Sequence, residues 1–163
     1  MRNRKWVVGI FVGTVLGIVI GKFLPLRGRK IDKKSEEEQC KKFENYFYVL
    51  NAWMTLRDNN RYLTEYFNNR QYNKIAVYGM GRLGKHFVSE MQKADILIEY
   101  GIDKNSNAGY QGMEIYSFED EWPQVDIIVV TPTFDYLNIK RQIEEKTGIK
   151  AVSLEEIIGE LLD

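Results

Sequence analysis

The chain has 163 residues, enough for about one domain, and its 23 basic and 23 acidic side chains cancel. The cancellation is uneven: residues 1–34 hold nine Lys or Arg against one acid, net +8, and the other 129 hold fourteen against twenty-two, net −8. A basic leader on an acidic body argues against a nucleic-acid partner, which needs a positive folded surface. The single Cys40 excludes an intramolecular disulfide, and the lone His86 without a Cys cluster argues against a metal site.

Residues 6–24 read WVVGIFVGTVLGIVIGKFL, with one charge, Lys22, near the end where a long side chain reaches the headgroups. At ~1.5 Å per residue this stretch spans roughly 28 Å, the thickness of a hydrocarbon core. A retained transmembrane helix is expected, because the following KFLPLRGRK offers no signal-peptidase pattern of small residues. Arg2, Arg4 and Lys5 precede the span, and Lys22, Arg27, Arg29, Lys30, Lys33 and Lys34 follow it. The excess on the far side predicts a single pass with the C-terminal domain cytosolic and the basic flank drawn to anionic membrane lipid. Gly9, Gly13, Gly17 and Gly21 recur every four residues, a glycine zipper that predicts self-association or docking on a membrane partner.

Residues 35–71 form an expected helical connector. Ser35 and Glu38 make an S-x-x-E capping box, and Glu36 and Glu37 complement the helix dipole. Phe43, Tyr46, Phe47, Leu50, Trp53 and Met54 repeat at three and four, which reads as a packing face against the following sheet or a second subunit. Asp58-Asn59-Asn60 marks a break, and Tyr62, Leu63, Tyr66 and Phe67 suggest a second, shorter helix.

Residues 72–163 carry the ligand-binding signature. The β-type run IAVY leads directly into Gly79-Met80-Gly81-Arg82-Leu83-Gly84, a G-x-G-x-x-G. A helix should follow from Arg82, then a strand near residues 96–102, with Asp103 at its end, 19 residues after Gly84. Strand, glycine turn, helix, strand and acid follow one another as in a dinucleotide-binding fingerprint. Gly79 permits the tight turn, Gly81 lets backbone amides approach a phosphate, and Gly84 lets helix and strand pack closely. Arg82 stands where it could approach a phosphate or simply face solvent. Asp103 can accept from ribose hydroxyls and would repel a 2′-phosphate, so NAD is expected ahead of NADP, with a UDP-sugar as the other candidate.

The remainder alternates as an α/β chain should. Gly109 and Gly112 flank a loop before MEIY, DIIVV reads as a strand buried on both faces and ends in Thr131-Pro132-Thr133, and Ser153/Glu156 form a capping box for a final helix. The expected fold is a Rossmann-like parallel sheet with flanking helices in the order 3-2-1-4-5. Its ligand crevice should lie near Gly81, Asp103 and Thr131.

The text KIAVYGMGRLGKH, YGIDKN, GMEIY, VDIIVVTPTFDY and AVSLEEII resembles small NAD(P)-binding Rossmann-like domains of bacterial glycan and capsule biosynthesis. It is also similar to Rossmann-like domains of sugar O-acyltransferases and sugar C-methyltransferases. The resemblance covers residues 72–163 and implies a nucleotide or nucleotide-sugar ligand in a bacterial envelope setting, without a shared reaction; the companion transferase domain is missing. Tyr136 and Lys140 form Y-x-x-x-K, the catalytic spacing of short-chain dehydrogenases and sugar-nucleotide epimerases. They stand one β/α unit too early and lack a following substrate domain, so an ordinary helix with Tyr136 packed and Lys140 exposed is the expected reading. Three functions are left: a membrane-anchored nucleotide-binding module, an NAD-dependent sugar-nucleotide oxidoreductase or epimerase, and a structural adaptor with an empty glycine loop.

Overall fold

The computed structural model describes residues 33–94, 96–106 and 109–163. The expected membrane helix over 6–24, its glycine stripe and its basic flank up to residue 32 lie outside the described residues. Among the described residues no helix is long and apolar enough to cross a membrane. Contacts divide the chain into two units, Met1–Glu36 and Glu37–Asp163; of the first, only the opening turn of one helix is described.

The second unit is an α/β fold. Two helices, α1 (Lys33–Asp58) and α2 (Thr64–Arg70), precede β1 (Ile75–Tyr78), α3 (Arg82–Lys93), β2 (Ile98–Ile102), β3 (Ile115–Tyr116), β4 (Ile127–Val130), α4 (Tyr136–Thr147), β5 (Ala151–Ser153) and α5 (Leu154–Leu162). The five strands form one sheet in the order β3-β2-β1-β4-β5, every neighbour parallel, as the sequence predicts. A parallel sheet buries both faces under helices, and the strands alternate accordingly. Ile75 and Val77 of β1 join Ile127 and Val129 of β4 in a core completed by α1, α2, α3 and α5. Ala76, Ile128 and Val130 point the other way, into a core with Tyr100, Ile102 and Ile143 under α4.

Local chemistry sets the element ends. Asn60 adopts a left-handed conformation, φ 57°, directly after α1, and the Arg61 amide bonds back to the Leu56 carbonyl, so the chain breaks at the expected Asp58-Asn59-Asn60. The Ser153/Glu156 box is present in full: the Glu156 amide donates to Ser153 Oγ at 2.9 Å and the Ser153 amide to Glu156 Oε2 at 3.1 Å. The Ser35/Glu38 box is not where the sequence places it. The helix already includes Lys33, so Ser35 stands inside it rather than at its cap.

The apolar face expected on α1 divides in two. Val49, Trp53 and Leu56 are buried in the core and Tyr46 packs at its edge. Phe43, Phe47, Leu50 and Met54 are instead 69%, 61%, 40% and 55% exposed. The 3–4 spacing of the sequence is compatible with either stripe, and the sheet covers only one.

Candidate functional site

β1 ends at the glycine turn. Gly79 takes φ 93°, which strains any other residue, and a Cβ there would lie 2.7 Å from Pro132 Cδ and 2.8 Å from Thr131 Oγ1. A Cβ on Gly84 would come within 2.1 Å of the Gly79 carbonyl oxygen, a backbone atom that cannot move aside. Both glycines are thus fixed by the crossing of β1, α3 and the end of β4. Gly81 differs: its φ of −70° suits any residue, and a Cβ built on it meets nothing within 4 Å. The space over Gly81 is open.

That space lies at the start of α3, where Gly81 is the N-cap. The first intrahelical bond runs from the Lys85 amide to the Gly81 carbonyl at 3.1 Å. The amides of Arg82, Leu83 and Gly84 precede it and have no partner within the helix. Gly81 supplies no capping side chain, so the positive end of the helix dipole faces the opening. Arg82 is exposed and forms no hydrogen bond or ion pair among the described residues. Leu83 and Met80 are buried in the core, so only their backbones face the turn; Met80 packs over Gly101, 3.0 Å from where a Cβ would stand.

Asp103, just beyond β2, closes on this loop. Its Oδ2 accepts from the Met80 amide at 2.7 Å and its Oδ1 from the Asn105 amide at 3.0 Å. A carboxylate offers about four lone-pair positions, so half remain for ribose hydroxyls. The acid that the sequence assigns to ligand selection therefore also holds the shape of the glycine turn. Thr131 works from beneath: its hydroxyl is buried and donates to the Gly79 carbonyl at 2.6 Å, which commits it to the loop. Two residues on, Thr133 Oγ1 is buried with no hydrogen-bond partner. Sequence reading placed the crevice at Thr131 and missed Thr133. Its only signal was its place at the C-terminal end of a buried strand, where such sheets bind ligands.

Burial pushes the Tyr78 phenol, at the end of β1, up, and the charges of Asp103, Asp135 and Glu119 push it further. Attraction for a phosphate would come from the helix start, with Arg82 exposed beside it.

The Tyr136 and Lys140 pair lies elsewhere. Tyr136 opens α4, and its hydroxyl donates to Glu156 Oε2 at 2.7 Å, beyond the end of β5 and two strands from β1. Burial, then the Glu156 hydrogen bond and charge, push the phenol far up. Lys140 Nζ stands 5.8 Å from the Tyr136 ring centroid, over its face rather than beside its oxygen. A phenol held protonated on a carboxylate does not suit proton abstraction at neutral pH. His86 is exposed on α3, in a groove with Trp53, Arg57 and Glu90, and no acid orients it. Among the described residues no group of acids, His and Cys could hold a metal ion. Asp126 is structural: it accepts from the Asn73 and Lys74 amides at 2.7 and 2.8 Å.

Set against known proteins, the chain matches no family model, no curated protein and no solved structure.

Proposed function

We propose that this chain is a membrane-anchored, cytosol-facing module of Rossmann-like type that binds NAD or a nucleotide-sugar and serves bacterial surface-glycan assembly. The observation that carries the binding reading is Gly81. Of the three motif glycines it alone has no steric reason within the fold, and the room it leaves lies against unpaired amides at a helix start. Pyrophosphate would rest over Gly81, Arg82 and Leu83, with ribose hydroxyls on the free lone pairs of Asp103. The anchor, the cytosolic orientation and the glycan setting rest on the leader's composition and on the resemblance of residues 72–163. Binding needs only these groups. A reaction would need a proton-transfer residue, and Tyr136, committed to Glu156, does not supply it.

Titration calorimetry of the full chain in detergent against NAD, NADP and UDP-glucose tests this. NAD or UDP-glucose should bind and NADP should bind more weakly. Gly81→Val fills the open space and should abolish binding while costing no more than about 1 kcal/mol of stability, the range for a changed N-cap. Asp103→Ala should weaken NAD more than NADP. No heat with any of the three at millimolar concentration would overturn the reading and leave an adaptor with an empty loop.

A further inference from the structure

The exits of three neighbouring strands stand in a row. Asp103 follows β2, residues 79–81 follow β1 and residues 131–134 follow β4, and β1 lies between the other two in the sheet. With strands ~4.8 Å apart, a ligand whose ribose rests on Asp103 and whose pyrophosphate lies over Gly81 points its far end toward the exit of β4. That exit already touches the turn: a Cβ on Gly79 would lie 2.7 Å from Pro132 Cδ. Two residues on, Phe134 is exposed.

The helix α1 brings a cation to the same place. Lys42 Nζ stands 4.4 Å from the centroid of the Phe134 ring. Trp53 and Arg57 bind Glu90 near the end of α3, and α1 and α3 pack into one core on the same face of the sheet. Lys42 precedes Trp53 by eleven residues, about 16 Å along the helix, and Arg82 precedes Glu90 by eight, about 12 Å. Lys42 is therefore level with the start of α3 to within about one turn. It is partly buried, and among the described residues no carboxylate pairs with it, whereas Arg57, Arg61 and Arg70 all have acids. Partial burial of an unpaired ammonium is unfavourable, and a ring face offsets this only weakly. The acid beside Phe134, Asp135, is turned to the α4 side: its Oδ2 accepts from Asn138 Nδ2 at 3.1 Å and its charge acts on Tyr78.

We propose, resting on the nucleotide-binding reading, that Lys42 selects the far end of the ligand: the site takes a nucleoside diphosphate carrying an acidic sugar, a hexuronate, in preference to NAD⁺. The helix start of α3 holds the pyrophosphate, which leaves the Lys42 ammonium for the group beyond it. A sugar carboxylate there gains a charge-assisted contact. The positively charged nicotinamide ring of NAD⁺ is repelled, and the neutral ring of NADH is not.

Titration calorimetry of the full chain in detergent compares UDP-glucuronate with UDP-glucose and NADH with NAD⁺, pairs that differ in charge at the far end. UDP-glucuronate should bind about tenfold more tightly than UDP-glucose, the size of one hydrogen bond to a charged group, and NADH more tightly than NAD⁺. Lys42→Met retains an unbranched side chain beside Phe134 without the charge and should erase both preferences while the urea melt stays in place. Lys42→Arg should restore them, and Lys41→Met, at an exposed position, should not disturb them. Equal affinities within each pair, or preferences that persist in Lys42→Met, would overturn the role of Lys42 while binding of UDP-glucose still upholds the site. Failure of all four ligands to bind would overturn both.

Discussion

Glu90 is the only charged side chain buried among the described residues, and it joins three segments. Its Oε2 accepts from Trp53 Nε1 at 3.0 Å and pairs with Arg57 Nη1 at 3.1 Å, and its Oε1 accepts from the Leu63 amide at 3.0 Å. A buried carboxylate is tolerated only when its lone pairs are met, and here α1 and the turn into α2 meet them. Glu90→Ala leaves two buried N–H groups unpaired and should cost about 2–4 kcal/mol in urea unfolding. Glu90→Gln, which retains the shape and one acceptor, should cost less; equal costs would show that the second acceptor and the charge, rather than the side chain's shape, matter. Nothing in the sequence singles Glu90 out, because its partners lie 27 to 37 positions away. The Ser153/Glu156 box was legible for the opposite reason: both halves fall within one turn.

At the scale of elements, periodicity names a helix more readily than it names the side that is buried. The apolar residues of α1 satisfy two overlapping stripes, and only the finished sheet decides between them. Leu56→Ala, on the buried stripe, should destabilise by about 3 kcal/mol through transfer and cavity terms. Phe47→Ala, on the exposed stripe, should change monomer stability by less than about 0.5 kcal/mol. Urea melts of the two variants read the difference, and similar losses would mean that both stripes are buried. The glycine turn was more legible than α1 because each glycine answers a local demand. Gly79 and Gly84 answer demands of packing, and Gly81 answers none among the described residues. The contact of Asp103 with Met80 was not legible, since it depends on how closely β2 and the turn approach. Thr131 was placed at the right strand end, and there its hydroxyl supports the turn.

Among the described residues five phenols share one bias. Alternation of strand and helix sufficed to read the order of the sheet, but it carries no information on where side-chain protons sit once the layers close. Five tyrosines, at 66, 78, 100, 116 and 136, are all pushed above their ordinary value of 10. Burial is the main cause at all but Tyr116, where the hydrogen bond to Glu114 leads. Tyr100, which donates to the Pro123 carbonyl at 2.7 Å, reaches about 12. Raised values mean that the folded chain holds phenolic protons which the unfolded chain releases near pH 10. Stability is therefore complete below that pH and falls as pH rises from about 10 through about 12. The acid side is set by Asp126, lowered first by the Lys74 and Asn73 amides. Glu156 is also lowered: burial opposes this, but Tyr136, the Ser153 backbone and Lys140 outweigh it. Those two contributions are present above the ordinary carboxyl range and are lost as pH falls through the depressed values. Melting temperature followed across pH should accordingly hold a plateau at neutral pH and drop on the alkaline side. Tyr100→Phe should lower the plateau, through loss of the Pro123 bond, by about 1 kcal/mol and make the alkaline decline shallower. An alkaline slope identical in wild type and variant would show that the Tyr100 proton is not held by the fold.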